Sequence, residues 1–232
     1  MILVTGASSG IGRQICLDLL REGEEIHGMG RSFPPEDLCL PRYHPHVLDL
    51  RDTAAMEELV RQIRSSGTLT ALIHCAGLAW YGPHEEIAPS HVRDMVRINL
   101  ELPMLLTSLC LRDLRKNQGT ILFLSSACIH APAPHGAAYA ACKAGLAHFA
   151  DSLFQENRRH GVRVITLEPD LTDTYLYRNA DFEPMEPCLT PEDVSACALF
   201  ALHHPRVLTH MTLQPPLSRI RRKPIRQEEK PL

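Results

Sequence analysis

The chain has 232 residues, 44% of them hydrophobic, enough for one sizeable core, and α/β chains of this length commonly fold as a single domain. A formal net charge of −3 gives no electrostatic basis for binding nucleic acid or an acidic membrane surface, and no apolar run approaches the length of a membrane span. Eight cysteines, at 16, 39, 75, 110, 128, 142, 188 and 197, form no CxxC pair and fall mostly inside predicted helices or strands; they read as free, buried thiols in a reducing cytoplasm, not as a disulfide framework or zinc site.

Met1 to Thr5 reads as a continuous apolar strand that leaves no room for a charged leader. After Gly10, the positions of Ile11, Ile15, Leu19 and Leu20 predict a helix, so Gly6, Gly10 and Gly12 lie in a loop that joins a strand to a helix N-terminus. Glycines there let the backbone turn tightly and approach a pyrophosphate, which the first-turn N–H groups and the helix dipole attract. The next strand, Glu25 to Gly30, ends in Gly30-Arg31-Ser32 without the acid that binds ribose hydroxyls in NAD-selective folds. Arg31 suits a 2′-phosphate, with Ser32 as a smaller neutral contact, and the implied cofactor is NADP(H). Prolines at 34, 35, 41 and 45 predict a shortened link instead of a full crossover helix, and His46 to Leu50 reads as the third strand. His44 and His46 read as surface residues, since no third metal ligand is near them in sequence.

An amphipathic helix is predicted near Asp52–Ser65, a strand from Thr70 ending in a turn at Gly77, and a long helical region from about Pro89 that carries Asn99. Trp80, the only tryptophan, follows that turn either as a substrate-side residue or as part of an aromatic lid. The apolar run Thr120 to Ser125 is a buried strand that leads into Ser126, and a helical pattern covers Ala137 to His160. Tyr139 and Lys143 lie four residues apart in that pattern and leave one helix face. A phenol titrates near 10 in water, and a cation held beside it lowers that value by about 1–3, so the pair suits proton transfer. Further on, Val162 to Leu167 reads as the sixth strand and Tyr175 to Cys188 as a substrate lid. Thr190-Pro-Glu-Asp193 is a helix start with Thr as N-cap, and Val207 to Leu213 is the last strand. The segment 214–232 reads as a charged, solvated tail.

Thr5-Gly-Ala-Ser-Ser-Gly-Ile-Gly12 and Ser126 thirteen residues before Tyr139-Ala-Ala-Cys-Lys143 resemble TGxxxGxG and S…YxxxK, the motifs of the short-chain dehydrogenase/reductase family, over about residues 1–212. The resemblance implies a doubly wound α/β domain, residues 1–213, with a seven-stranded parallel sheet ordered 3-2-1-4-5-6-7. It further implies reversible hydride transfer between NADP(H) and a secondary alcohol or hydroxy acid, or the corresponding carbonyl. The implied catalytic set is Ser126 on the carbonyl oxygen, Tyr139 as proton donor, Lys143 depressing the phenol and holding the ribose, and Asn99 supporting a water next to Lys143. The implied cofactor contacts are Gly6, Ser8, Ser9, Gly10, Ile11 and Gly12; Arg31 and Ser32; Asp49 and Leu50 at the adenine; Ala76 and Gly77; Tyr139 and Lys143; and Pro169, Leu171 and Thr174 at the nicotinamide. Two departures stand out: His74-Cys75 replaces a paired asparagine before Ala76-Gly77, and Asp170 replaces a glycine after Pro169. LTPEDVS and Pro215-Pro216 resemble the branch of NADP-dependent 3-hydroxy acid and serine dehydrogenases. Alternatives are a carbonyl reductase for bulkier apolar ketones and an NADP-binding protein without turnover. Relatives pair their equivalents of the Asn99 helix and the Tyr139 helix, and the apolar surplus at Leu102, Leu105, Leu106, Leu109, Leu146, Phe149 and Leu153 predicts a homodimer or homotetramer.

Overall fold

A computed structural model describes residues 1–180, 182–217 and 219–222. Seven strands, β1 (Ile2–Thr5), β2 (Ile26–Gly30), β3 (Tyr43–Val47), β4 (Ala71–His74), β5 (Thr120–Leu124), β6 (Arg163–Pro169) and β8 (His210–Leu213), form one parallel sheet ordered β3-β2-β1-β4-β5-β6-β8. The intervening β7 (Phe182–Met185) pairs antiparallel with β9 (Arg219–Arg222) in a separate two-stranded ribbon. The doubly wound sheet and its order are those expected, with β8 in the seventh place.

The sheet is covered on both faces, and each central strand supplies both cores because successive side chains point to opposite sides. On β5, Ile121 and Phe123 pack with Met56, Val60 and Ile63 of α2 (Thr53–Ser66), with Leu102, Leu106, Cys110 and Leu114 of α4 (Leu102–Asn117), and with Leu146, Ala150 and Leu153 of α5 (Ala137–Asn157). Leu122 and Leu124 of the same strand pack with Ile15, Cys16 and Leu19 of α1 (Gly10–Arg21) and Val194, Ala198 and Ala201 of α6 (Pro191–His203). Each large side chain buried in this way contributes about 1.5–3 kcal/mol. The helix start at Thr190 is a complete capping box: its hydroxyl accepts from the Asp193 N–H, and the Asp193 carboxylate accepts from the Thr190 N–H.

The third strand is earlier than expected, at 43–47 and not 46–50, and contains Pro45. β3 is the sheet edge, where a residue without an N–H is tolerated, so the proline did not exclude a strand. A 3-10 helix at Pro35–Cys39 replaces the crossover helix, as the prolines predict. The long helical region is α3 (Pro89–Val96) and α4 joined by a π-helical turn at Arg97–Glu101 that contains Asn99. The apolar surplus on α4 and α5 is largely spent inside the protomer: Leu102, Leu106, Leu146 and Leu153 are buried, Leu109 and Phe149 pack against them, and only Leu105 of the seven is exposed.

The predicted lid is a 3-10 turn, Tyr175–Asn179, followed by β7. β9, its partner, comes from the segment read as a solvated tail; Lys223, Arg226, Glu228, Glu229 and Lys230 of that tail lie outside the described residues. All eight cysteines are free thiols. Among the described residues no helix is long and apolar enough to cross a membrane.

Candidate active site

At the C-terminal ends of the strands, where the sheet order reverses between β1 and β4, lies a cleft of about 400 Å³. The loop from β1 into α1 forms its floor, and its glycines are required by space. A Cβ on Gly12 would stand 2.3 Å from the Gly6 carbonyl oxygen, and one on Gly6, whose φ is +69°, would stand 2.7 Å from the Ala76 nitrogen. The result is a bare backbone cradle at a helix N-terminus, which fits a pyrophosphate. Gly6, Ser8, Ser9, Gly10, Ile11, Gly12, Arg31, Asp49, Leu50, Ala76, Gly77, Pro169 and Thr174 all line the cleft, as do Ser126, Tyr139 and Lys143. Ser32, Leu171 and Asn99 do not; Thr172 lines the wall beside Leu171.

Arg31 is exposed at the end of β2, and no carboxylate stands at Gly30. A Cβ there would approach the Ser8 side chain to 2.7 Å, so Gly30 is needed to let Ser8 sit against the end of β2. Asp49 is gripped by Arg51 through its guanidinium, at 2.6 Å, and through the Arg51 N–H, at 2.9 Å; these bonds hold the carboxyl down at about 2. Arg51 also reaches Asp94 at 3.2 Å. Nothing in the sequence pattern marked Arg51 as a lining residue; the signal available was its place two residues after Asp49.

At the other end of the cleft, α5 presents Tyr139, 5% exposed, and Lys143, 3% exposed. The Lys143 ammonium donates to the Leu124 carbonyl at 2.7 Å and lies 5.7 Å from the centre of the Tyr139 ring. Ser125 ties the end of β5 to the same helix by donating to the Lys143 carbonyl. Ser126 opens a 3-10 turn, its oxygen accepting from the Cys128 N–H. The expected depression of the phenol is not what this geometry gives: burial drives Tyr139 well above the usual phenol range, with nearby Tyr81 and Tyr177 adding and Ser126 acting weakly the other way. Burial acts on the cation as well, lowering Lys143 to about 8.

Asn99 is fully buried, and its side chain takes a bracing role that the motif did not predict. Its amide donates to the Leu78 and Met95 carbonyls at 2.7 and 2.9 Å, and its oxygen accepts from the Leu78 N–H at 3.1 Å. The turn after β4, which lacks the paired asparagine, is thus held by Asn99 from one side and by Thr5, whose oxygen accepts from the Ala76 N–H, from the other. His74 replaces the first asparagine as a buried ring stacked on Phe123 and bonded to Thr107. Asp170 needs no unusual backbone: its φ is not positive, and its N–H continues the ladder to Leu213.

The wall beside Tyr139 is aromatic. Tyr81 lies 5.8 Å from Tyr139, 6.0 Å from Tyr177 and 5.0 Å from Phe182, ring centre to ring centre. Trp80 stacks on His91 at the margin of the cleft. Tyr177 and Phe182 belong to the predicted lid; Tyr81, which joins them to α5, belongs to no motif and is not marked by the sequence pattern. Tyr175 is exposed at the mouth, and Arg178 lines the cleft, its guanidinium pKa lowered by partial burial and then by the repulsion of Arg31.

A sequence model described as short chain dehydrogenase matches residues 1–183. Benzil reductase ((S)-benzoin forming) of Saccharomyces cerevisiae is 29% identical over 196 residues, covering 77% of this chain and 74% of the yeast protein. Serine 3-dehydrogenase of Agrobacterium fabrum is 29% identical over 179 residues, covering 75% of this chain and 72% of its own length. Among solved structures, the closed form of a serine dehydrogenase complexed with NADP+ superimposes with a TM-score of 0.81 at 24% identity, covering 92% of this chain and 94% of that one. A short-chain dehydrogenase from Streptomyces avermitilis gives 0.83 at 24% identity, with 91% and 87% covered. At these identities the two superpositions speak for the fold.

Proposed function

The chain belongs to the short-chain dehydrogenase family, an oxidoreductase fold acting on alcohol and carbonyl groups, and from that premise we propose that it transfers hydride between NADP(H) and a secondary alcohol or its carbonyl. The observation that carries this reading is the union, in one cleft, of Ser126, Tyr139 and Lys143 at one end with the glycine cradle and Arg31 at the other. The nicotinamide, when bound, supplies or accepts the hydride. Gly6, Gly10 and Gly12 would hold the pyrophosphate, Arg31 with Ser8 the 2′-phosphate, and Lys143 the ribose. In the reductive direction the Ser126 hydroxyl donates to the carbonyl oxygen, and Tyr139 delivers its proton to that same oxygen as the alcohol forms. A phenol kept protonated by burial is in the correct state to act as that acid. The Lys143 cation then stabilises the phenolate that remains. Asn99 acts as a positioning residue, holding the Leu78 turn against the cleft.

Two substrate classes divide the proposal. The branch resemblance and Arg178, a guanidinium in the cleft lining that suits a carboxylate, favour a small hydroxy acid; the Tyr81 ring packed on Tyr139, with Tyr177 and Phe182 packed on Tyr81, favours a bulkier aromatic ketone. The test is NADPH oxidation at 340 nm with benzil and other aryl ketones against 3-oxo acids, and NADP+ reduction with serine and 3-hydroxy acids. Turnover of one class names the substrate; no turnover with any of them leaves the non-catalytic NADP-binding alternative standing.

A further inference from the structure

We propose that Glu25, His27 and His44 form a binding site for one divalent cation of the zinc class at the outer edge of the sheet, at the N-terminal ends of β2 and β3. Pairing of these strands sets His27 directly beside His44, and Glu25 lies two residues before His27, on the same side by the strand's period of two. One ligand atom from each of the three residues lies within 4.8 Å of the others, and the His44 Nε2 and Glu25 Oε1 atoms are already 3.1 Å apart.

His27 carries the second, independent observation. It is 7% exposed, and its Nε2 atom is buried without a hydrogen-bond partner. A polar atom left in that state costs about 1–3 kcal/mol unless something satisfies it, and a cation does so. The other nitrogen, Nδ1, is 3.1 Å from His46 Nε2. A metal-binding imidazole commonly has this arrangement: one nitrogen on the metal and the second held by an outer partner that fixes ring and tautomer.

The remaining movement is small. Nitrogen and oxygen ligands at about 2.0–2.2 Å from a tetrahedral zinc stand about 3.4 Å apart, so capture contracts the set by about 1.4 Å at most. The His27 and His44 rings now stack at 4.6 Å with 22° between their planes, which sets their lone pairs side by side, so His44 must turn to converge on the ion. The His44 and Glu25 side chains are 45% and 54% exposed and free to do so. Two imidazoles with one carboxylate suit zinc in preference to magnesium or calcium, and leave one coordination position open to solvent.

The test uses untagged protein with its thiols kept reduced. Calorimetric titration with Zn²⁺, thermal unfolding with and without Zn²⁺, and the visible and near-ultraviolet spectrum of the Co²⁺ adduct are compared for the parent, His44→Ala, Glu25→Gln and His46→Ala. The expected result is one ion per chain, a Tm raised by Zn²⁺, no thiolate charge-transfer band with Co²⁺, and affinity reduced about tenfold or more in every variant. Zn²⁺ affinity unchanged in His44→Ala and Glu25→Gln, thiolate bands that place the ion on cysteines, or no binding by the parent would each overturn the site. NADPH oxidation by the same variants stays at the parent level, which separates this result from the catalytic reading.

Discussion

In the proposed mechanism turnover rests on Tyr139. Tyr139→Phe removes the proton donor and keeps the ring that packs against Tyr81, so the fold and NADPH binding persist while kcat falls about 10²–10⁴-fold, read in single turnovers where chemistry is limiting. Lys143 shows what such a site costs the fold. Its ammonium titrates at about 8 in the folded chain against an ordinary 10.5, so between these values the unfolded chain holds the proton more tightly and parent stability rises with pH. The penalty is complete below pH 8 and is relieved as pH climbs to 10.5. Lys143→Met, expected to be inactive, therefore has a stability advantage over the parent that shrinks by about 2.5 kcal/mol between pH 7 and pH 10, measured by urea unfolding at the two values. In the same proposal Arg31 sets cofactor choice: Arg31→Ala should remove a charge-assisted bond worth about 1.5–3 kcal/mol and reduce the NADPH over NADH preference in kcat/KM about 10- to 150-fold. Placing an acid at Gly30 is a poor way to reverse the preference, because its Cβ meets Ser8.

Among elements, the loop between β1 and α1 tolerates least. Gly12→Ala forces a methyl against the Gly6 carbonyl, and the chain must shift the loop that cradles the phosphates. Stability falls by about 1–3 kcal/mol in thermal unfolding, and cofactor affinity falls with it in a fluorescence titration. The elements that the sequence disclosed are those with a strong local signal. β1, β4 and β5 are continuous apolar runs, α6 carries its capping box, and the Tyr139–Lys143 spacing places both side chains in the cleft. The elements it concealed depend on distant partners. β3 was displaced because Pro45 argues against a strand until the strand is known to be an edge. β7 and β9 carry Pro184 and a run of arginines, and only their mutual pairing makes them strands. The site followed the same rule: motif glycines and the Ser126 constellation were legible, whereas Tyr81, Arg51 and the Asn99 brace arise from contacts between segments that no spacing connects.

For the molecule as a whole, assembly remains the open prediction. With most of the apolar residues of α4 and α5 absorbed by the protomer's own core, association draws on what is left at the surface, chiefly Leu105 and Val96, together with the family's habit of pairing these helices. Light scattering at micromolar concentration should give a dimer or tetramer, and a monomer there would remove the claim.

The β7–β9 ribbon has a practical corollary. The strand carrying Phe182, which packs on Tyr81 and through it on Tyr139 of the cleft, is hydrogen-bonded to residues 219–222. A purification tag or reporter fused directly after residue 222 pulls on the doorframe of the cleft, and trimming the chain at residue 213 takes away half the frame. Activity assayed on either product reports on the handle as much as on the enzyme, whereas a fusion ahead of Met1 leaves that ribbon intact.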